Sequence, residues 1–139
     1  MTRMAVTRDA FKSVTGPAAL LGRSEVADVN KIYSIEGGPT AYRPVHLEDG
    51  VYYGVYIGGT LASIAGTHVV SRTEGIAVVG NVFTHPNHRG RGLATVATSA
   101  VTADLLRDCE QVVLTVESKN APALAIYAKL GYQIGRAHV

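Results

Sequence analysis

Apolar residues change their spacing along this chain, and each change marks an element. Val26, Val29, Ile32 and Tyr33 recur at helical intervals behind Ser24, Glu25 and Asp28, which read as a helix start. Gly37-Gly38-Pro39 stops that helix, and residues 39–50 read as a loop. Residues 51–57 are β-rich, Gly58-Gly59 separates them from 61–70, and a second turn at 71–75 leads into 76–84. The pattern predicts three antiparallel strands in a meander. Gly80 interrupts the third, where an interior glycine marks a bulge, a close ligand approach, or a packing accommodation. Helical spacing returns over 92–107 through Leu93, Val96, Ala97, Ala100, Val101 and Leu105, ended by Asp108 and Cys109. A short Val- and Leu-rich strand follows at 111–116. Asn120 then caps a helix that tolerates Pro122 in its first turn and stops at Gly131, and 132–139 begins a last strand. Residues 1–22 carry a faint pattern, with Ala18-Ala19-Leu20-Leu21 expected in a short helix after Gly16-Pro17.

The junction between the third strand and the long helix carries the chemistry. There Asn81-Val82-Phe83-Thr84-His85-Pro86-Asn87-His88-Arg89-Gly90-Arg91-Gly92-Leu93-Ala94 runs from an apolar strand through a Pro turn into a basic, glycine-rich loop. The first turn of a helix has backbone N–H groups without internal partners, and the helix dipole adds positive potential. Glycines let an oxyanion approach the backbone, and successive amides form a concave nest for it. Arg89 and Arg91 add formal charge. The simplest reading is a pocket for a phosphorylated cofactor.

Composition narrows the remaining classes. A chain of 139 residues, nearly half hydrophobic and 17% charged, fits one folded domain, with a less certain helical part at 1–50 and a core at 51–139. The net charge of +2 is too small to argue for a nucleic-acid partner, so anion preference must come from local placement. One cysteine, Cys109, excludes an internal disulfide and fits a reducing, cytoplasmic setting. Arg3, Arg8, Asp9 and Lys12 stand where a signal peptide would need an apolar run, and no segment reaches transmembrane length. No metal site is expected.

The glycine spacing invites three comparisons. A Walker loop needs a Gly-Lys-Ser/Thr ending that is absent. A dinucleotide fingerprint accommodates Gly90 and Gly92, with Glu117 about where a ribose-binding acid falls, but Thr95 holds its third glycine position, His85-Pro86-Asn87-His88 separates strand from glycines, and antiparallel hairpins precede it. The third comparison fits better. Arg89-x-x-Gly92-x-Ala94 is similar to the acyl-CoA pyrophosphate signature of the GNAT N-acetyltransferase superfamily, and Val82-Phe83-Thr84-His85-Pro86 resembles its fourth strand and turn. Asn120-x-Pro122-x-x-x-x-Tyr127-x-Lys129-Leu130-Gly131-Tyr132 resembles the second motif of the superfamily. The resemblance covers roughly residues 51–135, and its details look most like GNAT domains that form the C-terminal half of two-part proteins.

It implies an α/β (α+β) fold with a mixed, mainly antiparallel central sheet flanked by helices. It also implies acetyl-CoA as cofactor, with backbone groups of Val82, Phe83 and Thr84 along the pantetheine arm. The diphosphate would lie on Arg89, Gly90, Arg91, Gly92, Leu93, Ala94 and Thr95, and Asn120 would add a contact. The implied reaction is direct transfer of an acetyl group to a primary amine, on a small molecule or a peptide. Tyr127 matches the position that protonates the departing thiolate. The base is open: the third strand of the meander holds no acid, so Glu117 ranks first, Asn81 would act through a water, and His68 and His85 are further options. The superfamily continues past Gly131-Tyr132 for one or two more strands than 133–139 can supply, so an open edge and a covering homodimer are expected. The competing readings are a non-catalytic acyl-CoA-binding or interaction module and, more remotely, a dinucleotide-binding domain.

Overall fold

The computed structural model describes residues 1–38 and 41–135. Thr2–Thr7 forms β1 and Ala19–Leu20 forms β2. A 3-10 turn at Arg23–Glu25 leads into α1 (Val26–Ser34), and α2 (Pro44–Asp49) follows. The meander is β3 (Tyr53–Ile57), β4 (Thr60–Ser71) and β5 (Ile76–Thr84). A second 3-10 turn at Pro86–His88 precedes α3 (Leu93–Asp108), β6 (Gln111–Val116), α4 (Ala121–Lys129) and β7 (Gln133–Ile134).

These strands make one sheet of seven, ordered β2-β3-β4-β5-β6-β1-β7, and every pair is antiparallel except β5 with β6. The expected mixed, mainly antiparallel α/β fold is what forms. Neighbouring residues of the meander divide between two apolar clusters, as the alternation of a strand requires. Val55 and Ala65 join α3 and α4 in one, through Val101, Leu105, Tyr127 and Leu130. Tyr52, Leu61 and Ile64 join α1 and α2 in the other, through Val29, Ile32, Tyr33 and Leu47.

Three expectations need correction. Residues 18–21 hold no helix: Ala19 and Leu20 pair with Gly54 and Tyr53 as an edge strand. Residues 39–50 are not all loop, because Pro44 opens α2 at a position where its missing N–H costs nothing, and the Arg43 amide donates to His46 Nδ1 at 2.8 Å. The faint N-terminus contains β1, which pairs with β6 along its whole length and buries Met4 and Val6 to 2% exposure. The last strand is Gln133–Ile134, and the part of that expectation on residues 136–139, like the Pro39 stop, lies outside the described residues.

Candidate active site

Strands β5 and β6 start together and then part. Ile76, Ala77 and Val78 pair with Gln111, Val112 and Val113, and the ladder ends there. Beyond it β5 stays bonded to β4 as far as Thr84, and β6 stays bonded to β1 as far as Val116. The cause lies in β5. Ile64 pairs with Phe83 and Gly66 with Gly80, so two steps of β4 face three of β5, a bulge at Asn81-Val82. Asn81 has φ +54, a conformation few non-glycine residues adopt. A bulge bends the strand that carries it.

The bulge also aims the backbone. The Tyr33 hydroxyl donates to the Asn81 carbonyl at 2.5 Å, and the Asn81 amide Nδ2 donates to the Tyr42 hydroxyl at 2.9 Å. With the Asn81 oxygen held towards α1, the N–H of Val82 in the same trans peptide points the other way. The His85 N–H donates to Ala62 O at 2.7 Å, so Thr84 and Val82, at alternate positions, turn their amides to the side β6 has vacated. The Thr84 carbonyl accepts Arg89 Nε at 3.0 Å.

The gap opens into a cleft of about 880 Å3. Asn81, Val82, Phe83 and Thr84 form one wall, and Leu114, Val116 and Glu117 the other. Arg89, Gly90, Gly92, Leu93, Ala94 and Thr95 close one end, and Asn120 and Tyr127 of the α4 region complete it. Of the residues expected at the site, Arg91, which is exposed, and the optional base His85, whose Nδ1 accepts the Asn87 N–H at 3.1 Å, stand outside this lining. Gly90 and Gly92 have φ +80 and +78, and among the described residues nothing lies within 4 Å of where a Cβ would stand on either. Gly92 precedes α3, and the first amide of that helix to find a carbonyl is that of Val96, on Gly92 O at 3.2 Å. The amides of Leu93, Ala94 and Thr95 have no acceptor among the described residues. His88 Nδ1, also on the cleft, is buried without a partner among them.

Arg89 is tied down. Besides Thr84 O it reaches Glu36 Oε2 at 3.1 Å and lies over the Phe83 ring at 5.4 Å. It braces the loop against β5 and the end of α1, while the amides face the cleft. Asn120 Oδ1 accepts the Ala123 N–H at 3.1 Å and so caps α4. Tyr127 is buried to 8% exposure, and its ring meets Tyr132 edge-on at 5.9 Å. Burial pushes its phenol above the ordinary tyrosine value, so it remains a proton donor at neutral pH. Its hydroxyl has no hydrogen-bond partner among the described residues. Glu117 sits exposed at the end of β6.

No local pattern in the sequence announces the tyrosine scaffold. Tyr33 and Tyr42 stack at 5.3 Å, and Tyr42 meets Tyr52 edge-on at 5.7 Å. Gly80 borders the Asn81-Val82 bulge and lines the cleft, and its missing side chain also accommodates packing, since a Cβ there would overlap the His68 ring. Among the described residues no cluster of His, Cys, Asp and Glu is suited to a metal ion, and no helix is long and apolar enough to cross a membrane.

Known proteins resemble this arrangement at several levels. The mycothiol acetyltransferase of Saccharomonospora viridis is 44% identical over 59 residues, a stretch covering 40% of this chain and 19% of that protein. A GNAT-family protein of Novosphingobium aromaticivorans superimposes with a TM-score of 0.81 at 27% identity, over 97% of this chain and 59% of its own. A GCN5-related N-acetyltransferase of Kribbella flavida gives a TM-score of 0.74 at 24% identity, over 96% and 53%. The chain thus spans less than two thirds of the length of each. The family model for FR47-like proteins matches residues 52–139. With that match across more than half its length, on this sheet and this parted strand pair, the chain belongs to the FR47-like proteins of the GNAT acetyltransferase superfamily.

Proposed function

We propose that this domain transfers an acetyl group from acetyl-CoA to a primary amine. The observation that carries the reading is the parting of β5 from β6 beyond Val78 and Val113, with the Val82 and Thr84 amides turned towards the gap and those of Leu93, Ala94 and Thr95 without acceptors at its end. The residues present fit coenzyme A. The amides of Leu93, Ala94 and Thr95 at a helix N-terminus suit a diphosphate, the orphaned His88 Nδ1 adds a polar atom to the same cleft, and the gap suits an extended arm.

When bound, the cofactor would supply an activated acyl carbon as its thioester. The protein would supply the rest. The Val82 N–H would hydrogen-bond the acyl oxygen, and a fixed dipole of this kind stabilises charge that develops there. Bound on rigid strands, both partners would meet in attack geometry, which alone removes much of the barrier. The Tyr127 hydroxyl would protonate the departing sulfur. A titratable group lining the cleft would take the proton shed by the amine, and Glu117 and His68 are the candidates. Asn81 supports this indirectly, since its amide and carbonyl are held by Tyr42 and Tyr33 and fix the bulge.

Calorimetric titration with acetyl-CoA and release of free thiol in an amine panel test the reading. Binding with turnover is expected, and Tyr127→Phe should lower turnover while leaving affinity in place. No affinity at millimolar acetyl-CoA would remove the proposal. Binding without turnover on any amine would leave a non-catalytic acyl-CoA module instead.

A further inference from the structure

A second cavity, of about 530 Å3, lies between α2 and β4, lined in part by Tyr42, His46, Asp49, Tyr52, Val69 and Val70. Among the described residues His68 alone lines both this cavity and the acyl cleft. Its position has a backbone cause. Thr67 pairs with Val79 and Val69 with Val78, so His68 is the extra residue of a bulge in β4. Bulges re-aim side chains, and this one lays the Nε2–Cδ2 edge of the imidazole over Gly80. Gly66, the cross-strand partner of Gly80, lies in the same way under the Tyr52 ring. Two paired glycines thus leave a trough in the sheet face, and two rings fill it. Neither nitrogen of His68 has a hydrogen-bond partner among the described residues.

We propose that this second cavity receives the acceptor, a small primary amine with an apolar or aromatic body, and that His68 takes the proton the amine loses. The inference rests on the acetyl-transfer reading above. The volume suits a small molecule rather than a folded chain. Tyrosine faces attract cations, Asp49 supplies the opposite charge, Val69 and Val70 supply apolar walls, and no Lys or Arg lines the cavity among the described residues. An ammonium with an apolar arm matches that set; an acidic acceptor does not. His46 is committed to the start of α2 through its Nδ1, and Glu117 lines only the acyl cleft. His68 is left where the two compartments meet. The bound ammonium first sheds one proton to water, which frees the lone pair. His68 Nε2 accepts a second proton from the nitrogen as the N–C bond forms, and the Tyr127 hydroxyl gives its proton to the sulfur as the C–S bond breaks. Both groups re-equilibrate with water, so ammonium and thioester become amide, thiol and one released proton.

The titratable and charged side chains that line the two compartments with His68 are Tyr42, His46, Asp49 and Tyr52 on the acceptor side, and His88, Arg89, Glu117 and Tyr127 on the acyl side. The test uses thiol release with 2-phenylethylamine and with glutamate across pH 5 to 9, and acetyl-CoA calorimetry on every variant. The expected results are turnover of 2-phenylethylamine and not of glutamate, and a rate that falls towards acid pH. His68→Ala should lower kcat about 100-fold, leave only the substrate amine's own ionisation in the pH profile, and recover in part with added imidazole. Asp49→Asn should raise KM about tenfold at unchanged kcat, with acetyl-CoA affinity preserved in both. A His68→Ala enzyme with parental rate and pH profile would overturn the assignment. So would a parent that acetylates other amines but not 2-phenylethylamine. A parent with no acetyl-CoA affinity would overturn the acetyl-transfer reading itself.

Discussion

Replacing Tyr33 by Phe isolates one hydroxyl on which the cleft geometry depends. The ring is 4% exposed, and Phe retains its stacking on Tyr42 at 5.3 Å. The 2.5 Å donation to the Asn81 carbonyl disappears, together with the hydroxyl's interaction with Tyr42. Leaving a part-buried carbonyl without its donor costs about 1–2 kcal/mol. It also removes a restraint on Asn81, whose φ of +54 is itself disfavoured by about 1–2 kcal/mol relative to ordinary backbone. For a chain of this size about 1 kcal/mol shifts Tm by about 4 °C, so Tyr33→Phe should melt about 4–8 °C lower. The freed peptide would no longer aim the Val82 N–H into the gap, and kcat should fall at least about tenfold while acetyl-CoA affinity changes little. Thermal unfolding by circular dichroism and thiol-release kinetics read the two effects. Asn81→Gly is the companion: glycine tolerates the bulge conformation, so it should lose less stability than Asn81→Ala. A Tyr33→Phe protein with parental Tm and kcat would refute the idea that this bond shapes the bulge.

Other perturbations are sharp as well. Gly92→Ala should weaken acetyl-CoA binding and cost about 1–2 kcal/mol of stability by calorimetry and denaturant titration, since its φ is +78 while its surroundings are empty. Gly131→Ala should cost more, at least about 2 kcal/mol, because a Cβ there would run into Ala10 O and φ is +100. Burial raises the phenols of Tyr33, Tyr52, Tyr127 and Tyr132 above the ordinary value near 10. The unfolded chain therefore sheds those protons first: their contribution to stability is intact below about pH 10 and declines above it, which alkaline unfolding will show. The two-residue edge strand β7, with Ile134 69% exposed, keeps the homodimer expectation open to light scattering; a dimer is expected, and a monomer at all concentrations would contradict it.

What the sequence revealed followed its strongest periodicities. The meander announced itself through the Gly58-Gly59 turn, α3 through sixteen residues of helical spacing, and α4 through a side-chain cap that forms as expected. The short elements stayed hidden. β2 has two residues and α2 six, too few for a period to emerge. β1 shows buried alternation only at Met4 and Val6, and its pairing with β6 spans a separation no local rule senses. The glycine loop was readable because backbone conformation and charge are both written locally. The placement of His68 and of the Asn81 backbone that Tyr33 and Tyr42 hold was not, because it depends on register: two bulges shift β4 against β5, and only the paired chains reveal which groups they turn. Gly66 and Gly80 look like weak points in separate strands, and only their pairing explains them.

Amide chemical shifts followed while coenzyme A is titrated into 15N-labelled protein read out directly whether the parted strands and the glycine loop hold the cofactor. The largest changes are expected at Val82, Thr84, Gly90 and Leu93 to Thr95, with Val78 and Val113 nearly still where the strands remain paired. Changes confined to other surfaces, or none at saturating coenzyme A, would contradict cofactor binding at this site.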